Sequence, residues 1–281
     1  MNEITGTTRI FPVIGWPVEQ VKAPTLFNAY FQRHGVDARL VPFKIEPQRY
    51  REAVRTFMQT ENVGGIFVSI PHKPMTLDAV DEASLRAQVA GACNAVYRRA
   101  DGRIMGDLID GEGFIRALQH TFAARPLRWG QARALVVGCG GVGCAIVASL
   151  AAQGIAEIGL FDTEVRNVEA LQQRVAAAYP DTRVVRAAAQ AAGYDLVINC
   201  TPLGMHANDA LPLSLDGISA DCIVADCGMK IEMSKLLQQA QALGCRIQKG
   251  KEMLIEQAPL YLELFGWPGV SADDFRTLEA L

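Results

Sequence analysis

The sequence predicts an α/β protein of two domains, each built on a mostly parallel sheet. Three observations carry this expectation. Short apolar, β-branched runs alternate with helical patterns along the chain, the signature of βαβ units. At 281 residues the chain exceeds the size at which a single core tends to split. Near its middle a glycine-rich turn stands between a strand pattern and a helix pattern, and beyond it the alternation is cleaner.

Element by element, residues 9–14 read as a strand, 25–34 as a helix, 38–43 as a strand, 47–59 as a helix and 65–70 as a strand. Two short strands follow near 93–97 and 103–107. Phe114, Leu118 and Phe122 recur every fourth residue and mark a helix. Strand 134–137, helix 142–153 and strand 158–162 come next. A stripe of Val165, Val168, Leu171 and Val175 is helical. Strands at 184–186, 196–200 and 223–226, a helix at 233–243 and a last strand at 246–248 complete a doubly wound pattern. Helices at 254–265 and 272–281 close the chain.

Composition excludes several classes. Half the residues are hydrophobic and the formal net charge is −3, from 27 basic and 30 acidic side chains. That rules out intrinsic disorder and leaves no electrostatic footprint for nucleic acid. Seven cysteines, at 93, 139, 144, 200, 222, 227 and 245, include no Cys-x-x-Cys, and the four histidines are scattered. Buried thiols in a reducing cytoplasm fit better than a disulfide framework or a metal site. No basic, apolar leader opens the sequence. Residues 134–156 carry no charge, but Gly138, Gly140, Gly141, Gly143 and Gly154 interrupt them, so a strand, turn and helix explain them better than a membrane span.

The segment Gly138-Cys139-Gly140-Gly141-Val142-Gly143 has G-x-G-x-x-G spacing between strand and helix. The first glycine permits the tight turn, the second lets a pyrophosphate approach, and the third lets helix and strand pack closely. The helix N-terminus offers N–H groups and partial positive charge to phosphates. Asp162 ends the next strand, nineteen residues past the last glycine. An acid there accepts hydrogen bonds from ribose hydroxyls and repels a 2′-phosphate. Glu164 adds to the repulsion and Arg166 is the only nearby cation. NAD is therefore expected in preference to NADP.

Ser69-Ile70-Pro71-His72-Lys73 follows an apolar strand, at the carboxyl edge where α/β sheets place ligands. A solvated lysine at a helix start is the plain alternative for Lys73, and His72 is taken only as pocket lining. Asp110 opens a helix, either as a cap or as a functional carboxylate. Gly111 and Gly113 are poor helix formers in that first turn and imply a close approach to the backbone. Asp107, on the same segment, is easily confused with Asp110 in role.

Over nearly its whole length the chain resembles the shikimate/quinate dehydrogenase family. The matching stretches are residues 68–73, 91–95, 106–111, the glycine turn, 198–205 and 250–257. The resemblance implies a catalytic domain of residues 1–108 completed by C-terminal helices at 248–281, a Rossmann domain at 109–247, and a small cyclic hydroxy substrate in the cleft between them. It implies Lys73 and Asp110 as the catalytic pair, with the choice of formal base left open. Asn94 and Gln257 would hold substrate hydroxyls, with Ser69 also in the pocket. Gly138, Gly140, Gly141, Val142, Gly143, Asp162, Thr201, Pro202 and Gly250 would bind the coenzyme. As hydride leaves an alcohol carbon its hydroxyl proton must also go. A lysine on that oxygen can relay it, and a carboxylate can orient the ammonium.

The departures from the family pattern have a direction. Its Ser-x-Ser pair for the substrate carboxylate corresponds here to Val21 and Ala23, around Lys22. A family asparagine is Phe67, a threonine is Ile109, a tyrosine is Met229 and a phenylalanine is His72. Groups serving the reacting hydroxyls survive, while those at the carboxylate end do not. Two lost hydrogen bonds to a charge would remove at most ~3–6 kcal/mol, with Lys22, Gln20 or His72 as compensators. The expected activity is hydride transfer on a ring hydroxyl of a cyclic hydroxy acid or polyol, with weak use of shikimate. Shikimate or quinate dehydrogenase proper and a non-catalytic NAD-binding protein are the alternatives. A methylene-tetrahydrofolate dehydrogenase is disfavoured by Asp110 and Gln257. Monomer and homodimer both stay open.

Overall fold

The computed structural model describes residues 3–206 and 208–278. The chain divides into two compact units, Met1–Ile109 with Gln257–Leu281, and Asp110–Glu256.

The first unit holds β1 (Arg9–Gly15), α1 (Ala23–Arg33), β2 (Ala38–Lys44), α2 (Tyr50–Gln59), β3 (Ile66–Val68), β4 (Glu82–Ala83), α3 (Leu85–Ala90), β5 (Ala95–Arg98) and β6 (Ile104–Asp107). The sheet order is β2-β1-β3-β5-β6-β4. β1 runs parallel to β2 and β3, but β5 is antiparallel to both β3 and β6. The sheet is thus mixed. β5 and β6 are joined by a tight turn, closed by Arg99 N–H donating to the Arg103 carbonyl and carried by Gly102 at φ +87°. So short a connection permits only antiparallel neighbours. β4, α3 and the 3₁₀ turn Pro74–Asp78 were not expected, being too short to show a period.

Two cores flank this sheet. On one face the α2 stripe of Tyr50, Val54 and Met58 packs on Ile14, Ile66, Val68 and Val96. On the other, the α1 aromatics Phe27 and Phe31 meet side chains from the chain's end. These come from α8 (Gly250–Leu264), which starts in the second unit and ends in the first, and from α9 (Ala272–Arg276). Tyr261 stacks on Phe67 at 4.1 Å, Phe265 on Phe11 at 5.4 Å, and Phe275 on Tyr30 at 4.6 Å. Gly65 permits this, since a Cβ there would lie 2.3 Å from the Phe265 ring. The C-terminal helices therefore return to the first unit. α9 ends at Arg276, and residues 279–281 of the expected helix lie outside the described residues.

The second unit contains α4 (Asp110–Thr121), β7 (Arg133–Val137), α5 (Gly141–Ala152), β8 (Glu157–Phe161), α6 (Val165–Ala178), β9 (Arg183–Arg186), β10 (Leu196–Asn199), β11 (Ile223–Asp226), α7 (Lys235–Ala242) and β12 (Arg246–Gln248). Its sheet is wholly parallel, in the order β12-β11-β10-β7-β8-β9. The strand order reverses between β7 and β10, the switch point where doubly wound sheets bind ligands. β10 and β11 are buried along their full length, as strands covered on both faces must be. What approaches Gly111 is α5, because a Cβ there would lie 2.1 Å from the Ala145 carbonyl oxygen.

Candidate active site

In the first unit the site residues gather at the carboxyl edge of β1 and β3. The Ser69 N–H donates to the Ile14 carbonyl, and a turn closed by His72 N–H on the Ser69 carbonyl delivers Lys73 to the start of the Pro74–Asp78 turn. Lys73 and Ser69 are half-buried. The Lys73 carbonyl accepts from Cys93 N–H at 2.8 Å, which ties it to the residue before Asn94.

Asn94 is the hub. Its N–H donates to the Asp107 carbonyl and its own carbonyl accepts from Val68 N–H at 2.7 Å and from the Tyr261 hydroxyl at 3.4 Å. Its Oδ1 accepts from Ile109 N–H at 3.0 Å, so one buried side chain fixes the residue before Asp110. Asp107 and Asp110 separate cleanly. Asp107 accepts from Arg86 at 2.8 and 2.7 Å, from Ser84 at 2.5 Å and from Leu108 N–H. Burial alone would raise its pKa, but Arg86, Ser84 and the Leu108 N–H hold it below the usual carboxylate value. It is a structural acid. Asp110 begins α4 and is buried, as is Gln257 on α8.

The structure corrects two pocket assignments. His72 is fully buried: its ring stacks on Tyr50 at 4.4 Å and its Nε2–H donates to the Ile45 carbonyl at 2.9 Å. It lies in the core and offers nothing to a substrate. Phe67 is likewise buried among Phe27, Tyr261 and Phe265. The position where the resemblance implied an asparagine is part of the aromatic core. Ile109 is buried as well, Met229 is exposed, and Val21 and Ala23 are half-buried at the start of α1. Of the other compensators, Gln20 commits its amide to the Pro17 carbonyl, which leaves Lys22, an exposed cation.

In the second unit the glycine turn has the geometry its spacing requires. Gly138 sits at φ +98°, and its N–H donates to the Phe161 carbonyl. A Cβ on Gly138 would lie 2.9 Å from the Thr201 methyl, and one on Gly143 would lie 1.9 Å from the Gly138 carbonyl oxygen. Around Gly140 and Gly141 a Cβ would meet no non-neighbouring atom of the described residues within 4 Å. The turn is therefore closed against its own fold and open above, a cradle that fits a dinucleotide's pyrophosphate at the N-terminus of α5. Val142 lies in the first turn of that helix. Gly250 is a packing glycine, since a Cβ there would lie 2.5 Å from the Gly228 carbonyl oxygen.

Sequence reasoning missed a buried network beside this turn. Asn199 ends β10 and Asp226 ends β11, directly paired. The Thr201 hydroxyl and N–H donate to Asn199 Oδ1, whose Nδ2 donates to the Leu203 carbonyl and to Asp226 Oδ1. Asp226 also accepts from Gly228 N–H and from Ser234, the N-cap of α7. It fixes the Thr201-Pro202 loop, with Thr201 half-buried and Pro202 exposed. The available signal was a pair of apolar strands each ending in a short polar residue.

Among the described residues, no group of three or more His, Cys, Asp or Glu is placed to hold a metal ion, and no helix is long and apolar enough to cross a membrane.

Comparison with known proteins agrees with the fold. Residues 13–96 match the family model described as shikimate dehydrogenase substrate binding domain, and residues 115–240 match that of the ThiF family. The shikimate dehydrogenase (NADP(+)) of Rhodospirillum rubrum is 33% identical, covering 99% of this chain and 98% of that protein. That of Geobacillus kaustophilus is 31% identical, covering 97% and 99%. The shikimate 5-dehydrogenase of Listeria monocytogenes, solved with shikimate and NAD, superposes with a TM-score of 0.89 at 26% identity, covering 98% of each chain. Fold and relatives define an oxidoreductase of the alcohol dehydrogenase type, which sets aside a non-catalytic NAD-binding protein. The chain belongs to the shikimate/quinate dehydrogenase family.

The expected preference for NAD over NADP is overturned, because these relatives are named for NADP(+). The physical reason lies in Asp162. Its carboxylate is occupied by the protein, accepting from Cys139 N–H at 2.7 Å, Glu164 N–H at 2.8 Å and the Asn167 amide at 3.4 Å. It props the glycine turn, so its presence does not report on the ribose. Arg166 lies against Glu164 at 3.5 Å on the surface.

Proposed function

We propose that this enzyme transfers hydride reversibly between a nicotinamide dinucleotide and a ring hydroxyl of a cyclic hydroxy acid or polyol, with a recognition end unlike that for shikimate. The observation behind this reading is an asymmetry. The hydroxyl-handling set of Lys73, Asn94, Asp110 and Gln257 is complete, and its backbone is tied down around Asn94. The opposite end has Val21 and Ala23 in place of two hydroxyls. Residues 1–108 with 248–281 bind the substrate, and residues 109–247 bind the coenzyme.

Lys73 contacts the reacting oxygen, stabilises negative charge developing there and relays its proton. The Asp110 carboxylate is the second proton-path group in this reading. Asn94 and Gln257 orient neighbouring hydroxyls through their amides, with Ser69 beside them. When bound at the glycine turn, the dinucleotide supplies the hydride acceptor or donor. The Gly140 and Gly141 backbone receives its phosphates, and Thr201 and Pro202 line its path.

Steady-state turnover with NADP(+) on shikimate, quinate and a panel of uncharged ring polyols tests this. Higher kcat/KM on a polyol supports the reading, and efficient shikimate oxidation overturns it. A second reading, shikimate or quinate dehydrogenase proper, is favoured by one feature: exposed Lys22 lies between the two altered positions. If Lys22 receives the carboxylate, K22A lowers kcat/KM on shikimate and spares the polyols.

A further inference from the structure

We infer that Cys200 and Cys227 form a reversible disulfide under a hydroperoxide, and that the cross-link weakens the adjacent glycine turn as a phosphate cradle. The pair is placed by the sheet. Each follows a strand-end residue of the paired Asn199 and Asp226. Cys200 N–H donates to the Val137 carbonyl and Cys227 N–H to the Asn199 carbonyl, so both backbones are still held at ladder level. Neighbouring strands lie about 4.8 Å apart, within the Cα span of roughly 4.4–6.8 Å that a disulfide bridges. The two Sγ atoms already lie 3.9 Å from each other. Both residues are half-buried rather than sealed in the core. Cys93 and Cys222, in contrast, are fully buried.

The chemistry balances with a hydroperoxide as the named oxidant. The Cys227 sulfur attacks the O–O bond, which breaks. For hydrogen peroxide this gives a sulfenic acid and one water, the thiol proton passing to the departing oxygen. The Cys200 sulfur then attacks the sulfenyl sulfur, the S–S bond forms, and its proton leaves with the hydroxyl as a second water. Two thiols are oxidised and one peroxide is reduced. The hydrogen-bonded Cys227 thiol and burial push the Cys200 thiol well above its ordinary value, which makes it a poor first attacker on the peroxide; it acts second, on a sulfenyl sulfur held beside it at the Sγ–Sγ distance of 3.9 Å.

The cross-link acts on the turn because Cys200 is part of its packing. Its carbonyl carbon lies 3.0 Å from where a Gly138 Cβ would stand, and its Cβ lies 3.4 Å from where a Gly143 Cβ would stand. Closing the sulfurs by about 2 Å shifts this support. This consequence rests on the coenzyme reading above, whereas the cross-link does not.

The test treats the reduced full-length protein with hydrogen peroxide, alkylates it in denaturant, digests it without reductant and maps it by mass spectrometry. NADPH affinity is read by fluorescence before and after. The expected result is a joined Cys200–Cys227 peptide about 2 Da lighter than its separate thiol peptides. Affinity should fall about fivefold or more, be restored by dithiothreitol, and be protected in C227S and, independently, in C200A. Separate alkylation of both cysteines, or a different partner for Cys200, overturns the pair. A joined peptide with unchanged NADPH affinity overturns its coupling to the turn. An untreated protein that does not bind NADPH fails the coenzyme reading instead, and the peptide map still decides the cross-link.

Discussion

At the scale of single residues, position in sequence and position in space disagree most at His72, while its neighbour Lys73 carries the proposed chemistry. Removing the Lys73 ammonium should lower kcat by about 10²–10⁴, the usual contribution of a positioned proton-transfer group. Coenzyme affinity in K73A should stay unchanged by fluorescence titration, and full activity would refute the assignment. His72 calls for a different experiment. Burial holds its pKa below the ordinary 6.5, against an opposing hydrogen bond to the Ile45 carbonyl. The unfolded chain therefore binds a proton near pH 6.5 while the folded chain does not. Stability is intact above that pH and falls as the pH drops toward the folded value, by at most about 1.4 kcal/mol per pH unit. In H72F the proton site is gone, so unfolding measured between pH 7.5 and 5.5 should show a shallower slope. Its stability at pH 7.5 should lie within about 1.5 kcal/mol of the parent, since the lost bond to Ile45 is set against removal of a buried Nδ1 with no partner. An unchanged slope would place the acid sensitivity elsewhere.

At the scale of elements, the glycine turn separates two roles that its spacing alone merges. A methyl on Gly143 collides with the Gly138 carbonyl, whereas one on Gly140 meets no non-neighbouring atom of the described residues within 4 Å. G143A should therefore lose stability, by about 1–3 kcal/mol or more, seen as a lower melting temperature. G140A should melt like the parent yet bind NADPH about tenfold or more weakly, because its methyl occupies space a pyrophosphate needs. Equal melting losses in both variants would make the motif mere packing. The same elements show what the sequence could reveal. β7, β10 and β11 were legible because strands covered on both faces are continuous apolar runs, and the glycine turn because each glycine answers a separate steric demand. α3, β4 and the Pro74–Asp78 turn were not, since two to six residues hold too little period to register. The Asn199–Asp226 pair was hidden for another reason. Its residues lie 27 positions apart and become partners only when β10 and β11 align. The candidates Lys73, Asn94 and Asp110 come from short motifs. The bonds around Asn94 that organise the segment before Asp110 depend on β3, β5 and β6 meeting in one sheet.

At the scale of the whole molecule, the chain has the family scaffold, and the change proposed above for one recognition end should be reversible by substitution. V21S/A23S restores two hydroxyls at the start of α1, where neither native side chain can donate a hydrogen bond. Hydrogen bonds from two hydroxyls to a carboxylate would contribute at most ~3–6 kcal/mol, or roughly two to four decades in affinity. The half-buried setting and the nearby Lys22 reduce this, so an increase of about tenfold or more in kcat/KM on shikimate is the expected outcome. It should appear mainly in KM, because hydroxyls far from the reacting carbon bind ground state and transition state alike. Turnover of uncharged ring polyols should not improve, and the melting temperature should hold within a few degrees. A double variant that gains nothing on shikimate would show that these positions do not meet the acidic end of a substrate. A parent enzyme that already oxidises shikimate efficiently would show that Val21 and Ala23 never cost it that recognition. Only the combination of a poor parent and an improved double variant makes the loss of two hydroxyls the cause of the altered specificity.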